Sequence, residues 1–499
     1  MLFNSYIFIF IFLPTTLLIY FYLNKRRLTV LSKFFLVASS LFFYGWWNVI
    51  YLPLIIFSIL INYAIGSIFY REISKIKKYR RLLLLFGVFL NLSLLGYFKY
   101  TNFLIENINM FSSLNMQPLN LVLPLAISFF TFQQITYLVD SYYSKIDEHS
   151  LLNYANFVLF FPQLVRQLIV ERIKRNLRNS KIDEHSLLNY ANFVLFFPQL
   201  IAGPIVHHKE MMPQFSSIKN KLINYKNIFL GIFIFSIGLF KKVVIADTFS
   251  IWATNGFDIE ESLTFIEAWV TSLSYTFQLY FDFSGYADMA IGAALLFNIR
   301  LPLNFNSPYK SLNIQEFWRR WHMTLSRLLK DYVYIPLGGN RCSNFRIYIN
   351  LIITFIIGGI WHGAGWTFIV WGTLHGVAIV LNRIWQKLNI NIGKIAAWFI
   401  TFNFINITWI FFRAKEWNDA IKVLFGMFSV STDIGSINLI SVLFIVLAII
   451  VTIFFKNTNE LEKKIKIGFV ASLGVSFVLF ISITVLLIRR SSEFLYFQF

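Results

Sequence analysis

The sequence predicts an all-α, polytopic integral membrane protein with about eleven to twelve transmembrane helices, because its apolar residues are too many for one aqueous core. Of the 499 residues, 57% are hydrophobic and only 14% are charged, against about 45–50% and about 25% in an average soluble domain. The 58 Phe and 13 Trp occur along the whole length, and the mean hydropathy is +0.63. An ordinary soluble enzyme is excluded, and one membrane domain over residues 1–499 is expected.

Runs of about 20 mainly apolar residues, the length that crosses a bilayer as a helix, define the predicted spans. In the first half of the chain they lie near 5–23, 30–47, 50–70, 82–98, 119–138, 187–206 and 227–246. In the second half they lie near 264–297, 347–361, 365–386, 395–413, 437–455 and 467–488. The stretch 264–297 is long enough for one tilted span plus a re-entrant piece.

The basic residues indicate the topology. Lys and Arg exceed Asp and Glu by 44 − 24 = 20, but they stand in short clusters between apolar runs. Such clusters mark cytoplasmic loops and contact lipid headgroups, so membrane lipid, and no nucleic acid, is the expected partner. Lys25–Arg27 and the loop Arg71–Arg81 are separated by two spans and should share the cytoplasmic side. The first run, Tyr6–Leu23, has no basic residue before it and is expected to be a retained span with an external N-terminus.

One segment occurs twice without change: residues 144–164 and 180–200 both read SKIDEHSLLNYANFVLFFPQL, at an offset of 36. Structural repeats share a pattern but diverge at surface positions. The exact identity of the two copies therefore favours a recent tandem duplication, or an error in the assembly of the sequence, over a folding repeat. The residues between the copies, 165–179, have a basic amphipathic pattern that is expected to lie on the membrane surface. The duplication adds a segment of doubtful functional meaning.

The strongest catalytic candidate is His362, which stands between two long apolar stretches. Ionisable residues inside apolar runs are costly, so they mark functional sites. The surrounding sequence, Gly358–Trp366, reads GGIWHGAGW, and its glycines interrupt regular helix and allow close approach to the backbone. A desolvated, neutral imidazole there can accept a proton from a hydroxyl. From the residues alone, a histidine that only bridges two helices is the alternative.

His322 is the second candidate, at the end of the sequence NIQEFWRRWH. Asn313 with Glu316 three residues later predicts a helix start with Asn as the N-cap, after which aromatic and basic residues alternate along the helix. Arg319 and Arg320 are suited to phosphate groups of a donor or of lipid. The alternative is a solvated interfacial face that binds no ligand.

The other histidines are expected to have no catalytic role. His375 is interpreted as structural. His207 and His208 are adjacent, and adjacent side chains cannot point the same way from a helix, so no metal role is expected. His149 and His185 belong to the duplicated copies and lie in polar loops.

Two carboxylates, Asp282 and Asp288, lie in an apolar stretch but six residues apart, outside the spacing that stacks side chains on one helical face. They either line a cavity or, as the preferred interpretation, pair with Arg319 and Arg320. The single Cys342 excludes a disulfide framework and a thiolate metal cluster. The sequence patterns of P-loop, dinucleotide-binding and zinc-hydrolase sites are absent.

Three motifs together resemble the membrane-bound O-acyltransferase family: FWRRWHMTLS at Phe317–Ser326, DYVYIPLGG at Asp331–Gly339, and WHG at Trp361–Gly363. The chain is most similar to the branch that contains alginate O-acetyltransferases and bacterial peptidoglycan acetylation proteins. Supporting motifs are found at Met1–Ser5, Phe197–Ile205, Tyr280–Met289 and Phe494–Phe499. In the family pattern FFPQL runs directly into AGP, which only the second copy satisfies.

The resemblance implies a helical fold with re-entrant and interfacial helices around a central tunnel. It also implies that His362 is catalytic and that His322 is the second functional histidine. His362 would abstract or relay the proton of an acceptor, and His322 would position or polarise the acyl donor, unless the two roles are exchanged. The residues expected to contact substrates are Trp361, Arg319, Arg320, Asp331 and Asp282. No metal and no bound cofactor are expected.

The function that the resemblance implies is transfer of an acyl group, expected to be acetyl from cytoplasmic acetyl-CoA, across the bacterial cytoplasmic (inner) membrane. A periplasmic or extracellular SGNH-type acyltransferase partner would then attach the group to polysaccharide hydroxyls. One alternative is D-alanyl transfer to teichoic acid from a carrier protein. A transporter or flippase of an acyl donor, which predicts inverted repeats, and a non-catalytic export scaffold are alternatives of other classes.

Overall fold

A computed structural model describes residues 1–70, 79–112, 114–143, 186–200, 203–429, 439–489, 492 and 494–495. Among these residues all regular structure is helical and none lies in a strand, which confirms the predicted all-α fold. The first copy of the duplicated segment, the basic stretch 165–179 and most of the loop Arg71–Arg81 lie outside the described residues, as do His149 and His185.

The α-helices that precede residue 260 are α1 (Leu13–Lys25), α2 (Thr29–Gly45), α3 (Leu52–Tyr70), α4 (Arg80–Leu95), α5 (Thr101–Phe111), α6 (Ile127–Tyr143), α7 (Leu187–Leu195), α8 (Phe197–Leu200), α9 (His208–Ser216), α10 (Tyr225–Phe240) and α11 (Asp247–Thr254). The π-helical turns Ile7–Phe12, Gly96–Tyr100, Lys241–Ala246 and Asn255–Ile259 extend or join them. Short 3₁₀ turns lie at Val49–Tyr51 and Lys219–Lys221.

The α-helices that follow are α12 (Phe265–Leu296), α13 (Ile314–Arg320), α14 (Met323–Leu329), α15 (Asn344–His362), α16 (Trp366–Lys387), α17 (Lys394–Arg413), α18 (Trp417–Met427), α19 (Leu439–Phe454), α20 (Thr458–Glu462) and α21 (Phe469–Ile488). A 3₁₀ turn at Pro308–Lys310 precedes α13, and a π-helical turn at Lys330–Tyr334 follows α14.

By length and composition, eight helices of the described chain can cross a membrane. They are Ile7–Lys25, Val49–Phe69, Arg80–Phe111, Tyr225–Ile259, Asn344–His362, Trp366–Lys387, Lys394–Arg413 and Phe469–Ile488. The helices α2 and α19 are apolar but shorter. These ten helices coincide with ten of the predicted spans, and the protein is a multi-pass membrane protein.

The other three predicted spans differ from the structure. The stretch 187–206 contains two short, buried helices, α7 and α8. Pro198 prevents α7 from continuing, because proline has no backbone N–H and its ring clashes with the preceding helical turn. Only the second half of 119–138 is helical, since α6 begins at Ile127. The stretch 264–297 forms one unbroken helix, α12, of 32 residues instead of a span plus a re-entrant piece.

Helix α12 is the central element of the fold. Its start is fixed by a capping box, in which Thr264 and Glu267 each satisfy a backbone N–H of the other. It is buried along most of its length and packs against α10, α11, α17 and α18. Contact with α10 is close because both helices carry glycine there: a Cβ on Gly238 would lie 2.5 Å from the carbonyl oxygen of Gly285. Phe283 of α12 contacts the ring of His322.

Candidate active site

His362 is the last residue of α15. The helix stops because Gly363 is extended, and α16 begins three residues later at Trp366. A Cβ on Gly363 would lie 2.0 Å from the Phe368 ring, so only glycine fits between the two helices. The predicted interruption of the helix is confirmed at Gly363, whereas Gly358 and Gly359 lie within α15.

The end of α15 is held from outside by two side chains of the π-helical turn between α4 and α5. Nζ of Lys99 donates to the carbonyl oxygens of Trp361 and His362, at 2.8 Å each. The hydroxyl of Tyr100 donates to the carbonyl oxygen of Ile360 at 2.5 Å. Carbonyls of the last helical turn have no partner within the helix. These contacts satisfy them and fix the position of His362.

The imidazole of His362 is enclosed by aromatic rings. The side chain is buried, and its ring centre lies 4.8 Å from that of Trp361, 5.1 Å from Trp371 and 5.0 Å from Phe412. Trp361 in turn packs against Phe129, at a ring distance of 5.6 Å. This apolar enclosure excludes bulk water and disfavours a charged imidazole at rest.

His322 lies in the bend between α13 and α14. Its backbone is left-handed, with φ 42° and ψ 52°, which is unusual for a residue other than glycine and marks a constrained position. The side chain is fully buried, and the ring of Phe283 from α12 packs edge-on against it at 4.8 Å. Burial lowers the pKa of His322 to about 3, so its imidazole is neutral at physiological pH. The Asn313 N-cap is confirmed, but α13 ends before His322.

Hydrogen bonds to Asn304 define which nitrogen of His322 carries the proton. Oδ1 of Asn304 accepts the backbone N–H of Thr324 at 3.3 Å and its hydroxyl at 2.8 Å, which identifies this atom as the amide oxygen. Nδ1 of His322 lies 3.1 Å from the same oxygen and must therefore be the donor. Nε2 then carries the lone pair, and this buried atom has no hydrogen-bond partner in the described part of the chain.

The two histidines meet at one buried junction. The centres of the His322 and His362 rings lie 6.4 Å apart, and the Trp361 ring lies 6.1 Å from that of His322. Leu325, Leu328 and Leu329 of α14 join Trp361 in a small apolar cluster beside them. Residues 40 positions apart in the sequence are thus brought within reach of a single reacting group.

The residues predicted to contact substrates lie in different environments. Trp361 is part of the junction. Arg319 is exposed on α13 and forms no ion pair within the described residues, whereas Arg320 is bound to Glu316 at 2.9 Å. Asp331 is exposed and borders a small cavity beside α14.

The predicted pairing of the α12 carboxylates with arginines is wrong. Asp282 forms a buried ion pair with Lys242 at 2.5 Å, and Asp288 pairs with Lys241 at 2.7 Å. These lysines lie in the π-helical turn after α10, which crosses α12 directly, whereas the guanidinium of Arg320 is engaged by Glu316 on its own helix. Asp282 also accepts the backbone N–H of Leu495. It thus connects elements of the fold.

The remaining histidines divide into two cases. His375 accepts a hydrogen bond from Nε1 of the buried Trp318 at 3.2 Å, the arrangement expected of a structural residue. The prediction that the side chains of His207 and His208 point in different directions is wrong. His207 is extended and only His208 is helical, so their rings stack at 5.0 Å and both face Asp140.

The comparison with known families decides the identity. The model of the membrane-bound O-acyltransferase family matches residues 108–415, more than half of the chain and all of the two-histidine junction. The chain belongs to this family. It is an O-acyltransferase, and the all-helical, multi-pass architecture and the buried histidines agree with that membership.

Two relatives are similar to this chain over most of its length, and a third over a shorter part. The peptidoglycan O-acetyltransferase of Helicobacter pylori is 48% identical, in an alignment that covers 100% of this chain and 98% of that protein. A probable alginate O-acetylase of Pseudomonas aeruginosa is 37% identical over 91% of this chain and 81% of its own length. A teichoic acid D-alanyltransferase of Streptococcus thermophilus is 36% identical, but over only 24% of this chain and 31% of that protein.

Sequence reasoning missed two residues that shape this candidate site. Asn304 precedes His322 by 18 positions in a loop, and nothing in its local sequence marks it. Lys99 carried a usable signal, because it is a lysine inside an apolar run, GYFKY.

Proposed function

We propose that the protein transfers acetyl groups across the bacterial cytoplasmic membrane for O-acetylation of an exported or cell-wall polysaccharide. The observation that carries this proposal is the buried junction of His322 and His362, at 6.4 Å between ring centres, inside a multi-pass membrane protein. Similarity over most of the chain to peptidoglycan and alginate O-acetylation proteins supports acetyl as the group and a polysaccharide as its final acceptor.

In the proposed mechanism His362 removes, or relays, the proton of an acceptor hydroxyl. The hydroxyl oxygen bonds to the acyl carbon, the thioester C–S bond breaks, and the departing thiolate takes up the proton from the imidazole. The lone pair on Nε2 of the neutral His322 can accept a hydrogen bond from the N–H of a protonated His362. This bond forms directly if the two rings move closer together, or through one bridging water. Because Nε2 offers no proton, the tautomer favours this accepting role for His322 over polarisation of the acyl donor.

The proposed acyl donor is cytoplasmic acetyl-CoA. Its phosphates need exposed cationic partners, and Arg319 is exposed on α13, three residues before His322. Arg320 and Arg327 are less available, since each is bound to a glutamate, Glu316 and Glu210 respectively.

The acceptor side of the proposal involves a partner protein. The junction lies within the membrane protein, whereas polysaccharide is exported, so a periplasmic or extracellular acyltransferase of the SGNH type is proposed to complete the transfer. D-alanyl transfer to teichoic acid is the second candidate. It is disfavoured because similarity to teichoic acid D-alanyltransferases covers less than a third of this chain.

The test is the amount of acetyl ester that mild base releases from the envelope polysaccharide of cells expressing each variant. His362→Ala and His322→Ala are expected to lower the ester by about a hundredfold or more at matched membrane abundance, since general base catalysis contributes about 10²–10⁴. His375→Gln is the matched control, because Gln keeps an acceptor for Trp318, and it should retain the ester. Unchanged ester in His362→Ala would refute the proposal in favour of a transporter or scaffold.

A further inference from the structure

A second polar cluster lies outside the two-histidine junction, where the end of α6 meets the start of α9. Oδ2 of Asp140 lies 2.6 Å from Nε2 of His207 and 3.4 Å from Nδ1 of His208. The three atoms all lie within 4.8 Å of one another. The proposed acyl transfer does not use these three residues.

The cluster exists because the backbone changes conformation between the two histidines. His207 is extended, with φ −94° and ψ 136°, while His208 is the first residue of α9. Adjacent side chains therefore need not diverge, and their rings stack with an interplanar angle of 27°. Each ring presents one nitrogen to the same carboxylate, so donor atoms from α6, from the first residue of α9 and from the residue before it lie close together.

Two imidazole nitrogens and a carboxylate oxygen are ligands that divalent zinc prefers. Tetrahedral zinc with bonds of about 2.0–2.2 Å separates neighbouring ligand atoms by roughly 3.3–3.5 Å. Of the two separations from Asp140, 3.4 Å lies in this range and 2.6 Å is shorter. Opening the shorter contact by less than 1 Å would accommodate the ion, and Nε2 of His207 would bind it in the tautomer that carries no proton on this atom.

The cluster is partly open to its surroundings. The side chain of His208 is only 2% exposed, while those of His207 and Asp140 are 24% and 16% exposed. A cavity of about 20 Å³ borders His207, with Tyr332 and Arg327 among its lining residues. A cavity of this size holds about one water molecule. The hydroxyl of Tyr332 lies 2.8 Å from Nε2 of His207 and is placed to hydrogen-bond a metal-bound water or ligand.

We propose that Asp140, His207 and His208 bind one divalent transition-metal ion, with Zn²⁺ as the best fit. The ion would clip α6 to α9 across the stretch between them, which contains the duplicated segment. Because Asp140 and His207 are 67 positions apart, such a clip closes a long loop and restricts the unfolded chain. The proposal goes beyond acyl transfer and does not depend on it.

The test measures metal on the full-length protein, purified in detergent with a tag that contains no histidine. After dialysis against Zn²⁺ and removal of the excess, the wild type is expected to retain about one zinc per chain by elemental analysis. Asp140→Asn and His208→Ala should each weaken zinc affinity more than tenfold. Substituted Co²⁺ should give the visible absorption of a four-coordinate site in the wild type only.

Glu210→Gln is the matched control, since Glu210 lies in α9 beside the cluster but is bound to Arg327, and it should bind zinc as the wild type does. Thermal unfolding of the wild type alone provides a second measurement, in which added Zn²⁺ should raise the midpoint and a chelator should reverse the rise. The proposal would be overturned if the wild type held no zinc above background, or if the Asp140→Asn protein held as much zinc as the wild type. Asp140 and His207 would then be only a hydrogen-bonded pair.

Discussion

At the scale of single residues, the chemistry of the site depends on where one proton lies. Asn304 accepts three hydrogen bonds through one oxygen, from Nδ1 of His322 and from the backbone and hydroxyl of Thr324. A residue in a loop thereby determines that the free lone pair of His322 is on Nε2. The left-handed backbone of His322 places the ring against this acceptor, which is a constraint that the fold maintains at this position.

Replacement of Asn304 tests this role. Asn304→Leu removes the acceptor and leaves the buried Thr324 donors unsatisfied, a cost of about 1–3 kcal/mol, so acetylation should fall by about tenfold to hundredfold. Asn304→Asp keeps an oxygen acceptor and should restore much of the ester at matched abundance. Equal loss in both variants would indicate that Asn304 serves only packing. The measurement is base-released acetyl per unit of membrane-bound protein.

At the scale of elements, the position of His362 is set by the way α15 ends. The helix is stopped by a glycine, and its last carbonyls are bound by Lys99 and Tyr100 from a turn some 260 residues earlier in the chain. A hydrogen bond from a charged donor contributes about 1.5–3 kcal/mol to stability, whereas one from a neutral donor contributes about 0.5–1.5 kcal/mol.

Lys99→Met should therefore release the end of α15 and lower acetylation by about tenfold or more, while Lys99→Arg, which keeps a cationic donor, should lose less. Lys387→Met is the control, because Lys387 is an exposed lysine near the end of α16 whose ammonium contacts only Tyr348 among the described residues. Each variant is assayed for ester and for membrane abundance. If Lys99→Met lowers abundance alone, with full ester per molecule, Lys99 stabilises the fold without positioning His362.

The elements also show what the sequence could and could not predict. His362 was predictable because an imidazole inside an apolar run is costly to bury, and its flanking glycines mark a break in the helix. The helix start at Asn313 was predictable because capping is local. The partners of Asp282 were not, because Lys242 lies 40 residues away and pairing depends on how π-helical turns rotate the chain onto α12. The His207 and His208 cluster was missed because one residue of the pair lies outside the helix, which periodicity does not reveal.

At the scale of the whole molecule, the two ends of the chain meet on α12. Asn4 donates to the carbonyl oxygen of Ser492, and Phe494 stacks on Tyr286 at 4.4 Å. The backbone N–H of Leu495 donates to Asp282 at 3.0 Å, and Asp282 is also bound to Lys242. This contact links Leu495 to the centre of the fold.

Asp282→Leu is expected to lower the free energy of unfolding by about 3–5 kcal/mol, because it leaves Lys242 buried beside Asp247 without its nearer partner. Thermal unfolding in detergent measures the loss. Glu210→Gln breaks the exposed pair with Arg327 and serves as the comparison, with an expected change of at most about 1 kcal/mol. Equal stability of the two variants would show that the buried pair contributes no more than an exposed one.

The duplicated segment affects the whole fold, because its second copy is part of the core. Its second copy packs into the core: Tyr190 of α7 is fully buried, 4.3 Å from the ring of Tyr137 on α6. Asn192 donates to the carbonyl oxygen of Lys33 on α2. Only one copy can occupy this position. Because the copies are identical, removal of residues 165–200 or of residues 144–179 gives the same protein, in which one copy follows Tyr143 directly.

The shortened protein is expected to fold and to produce at least as much acetyl ester as the full chain. Six residues, SKIDEH, would connect α6 to the Ser that caps α7, and they reach about 20 Å when extended, enough to join helices whose tyrosines are already in contact. Ester and membrane abundance are compared in the two proteins, each with and without His362→Ala. More ester in the shortened protein, abolished by His362→Ala, identifies the duplication as a lesion, whereas loss of the shortened protein from the membrane would show that the fold has come to need both copies.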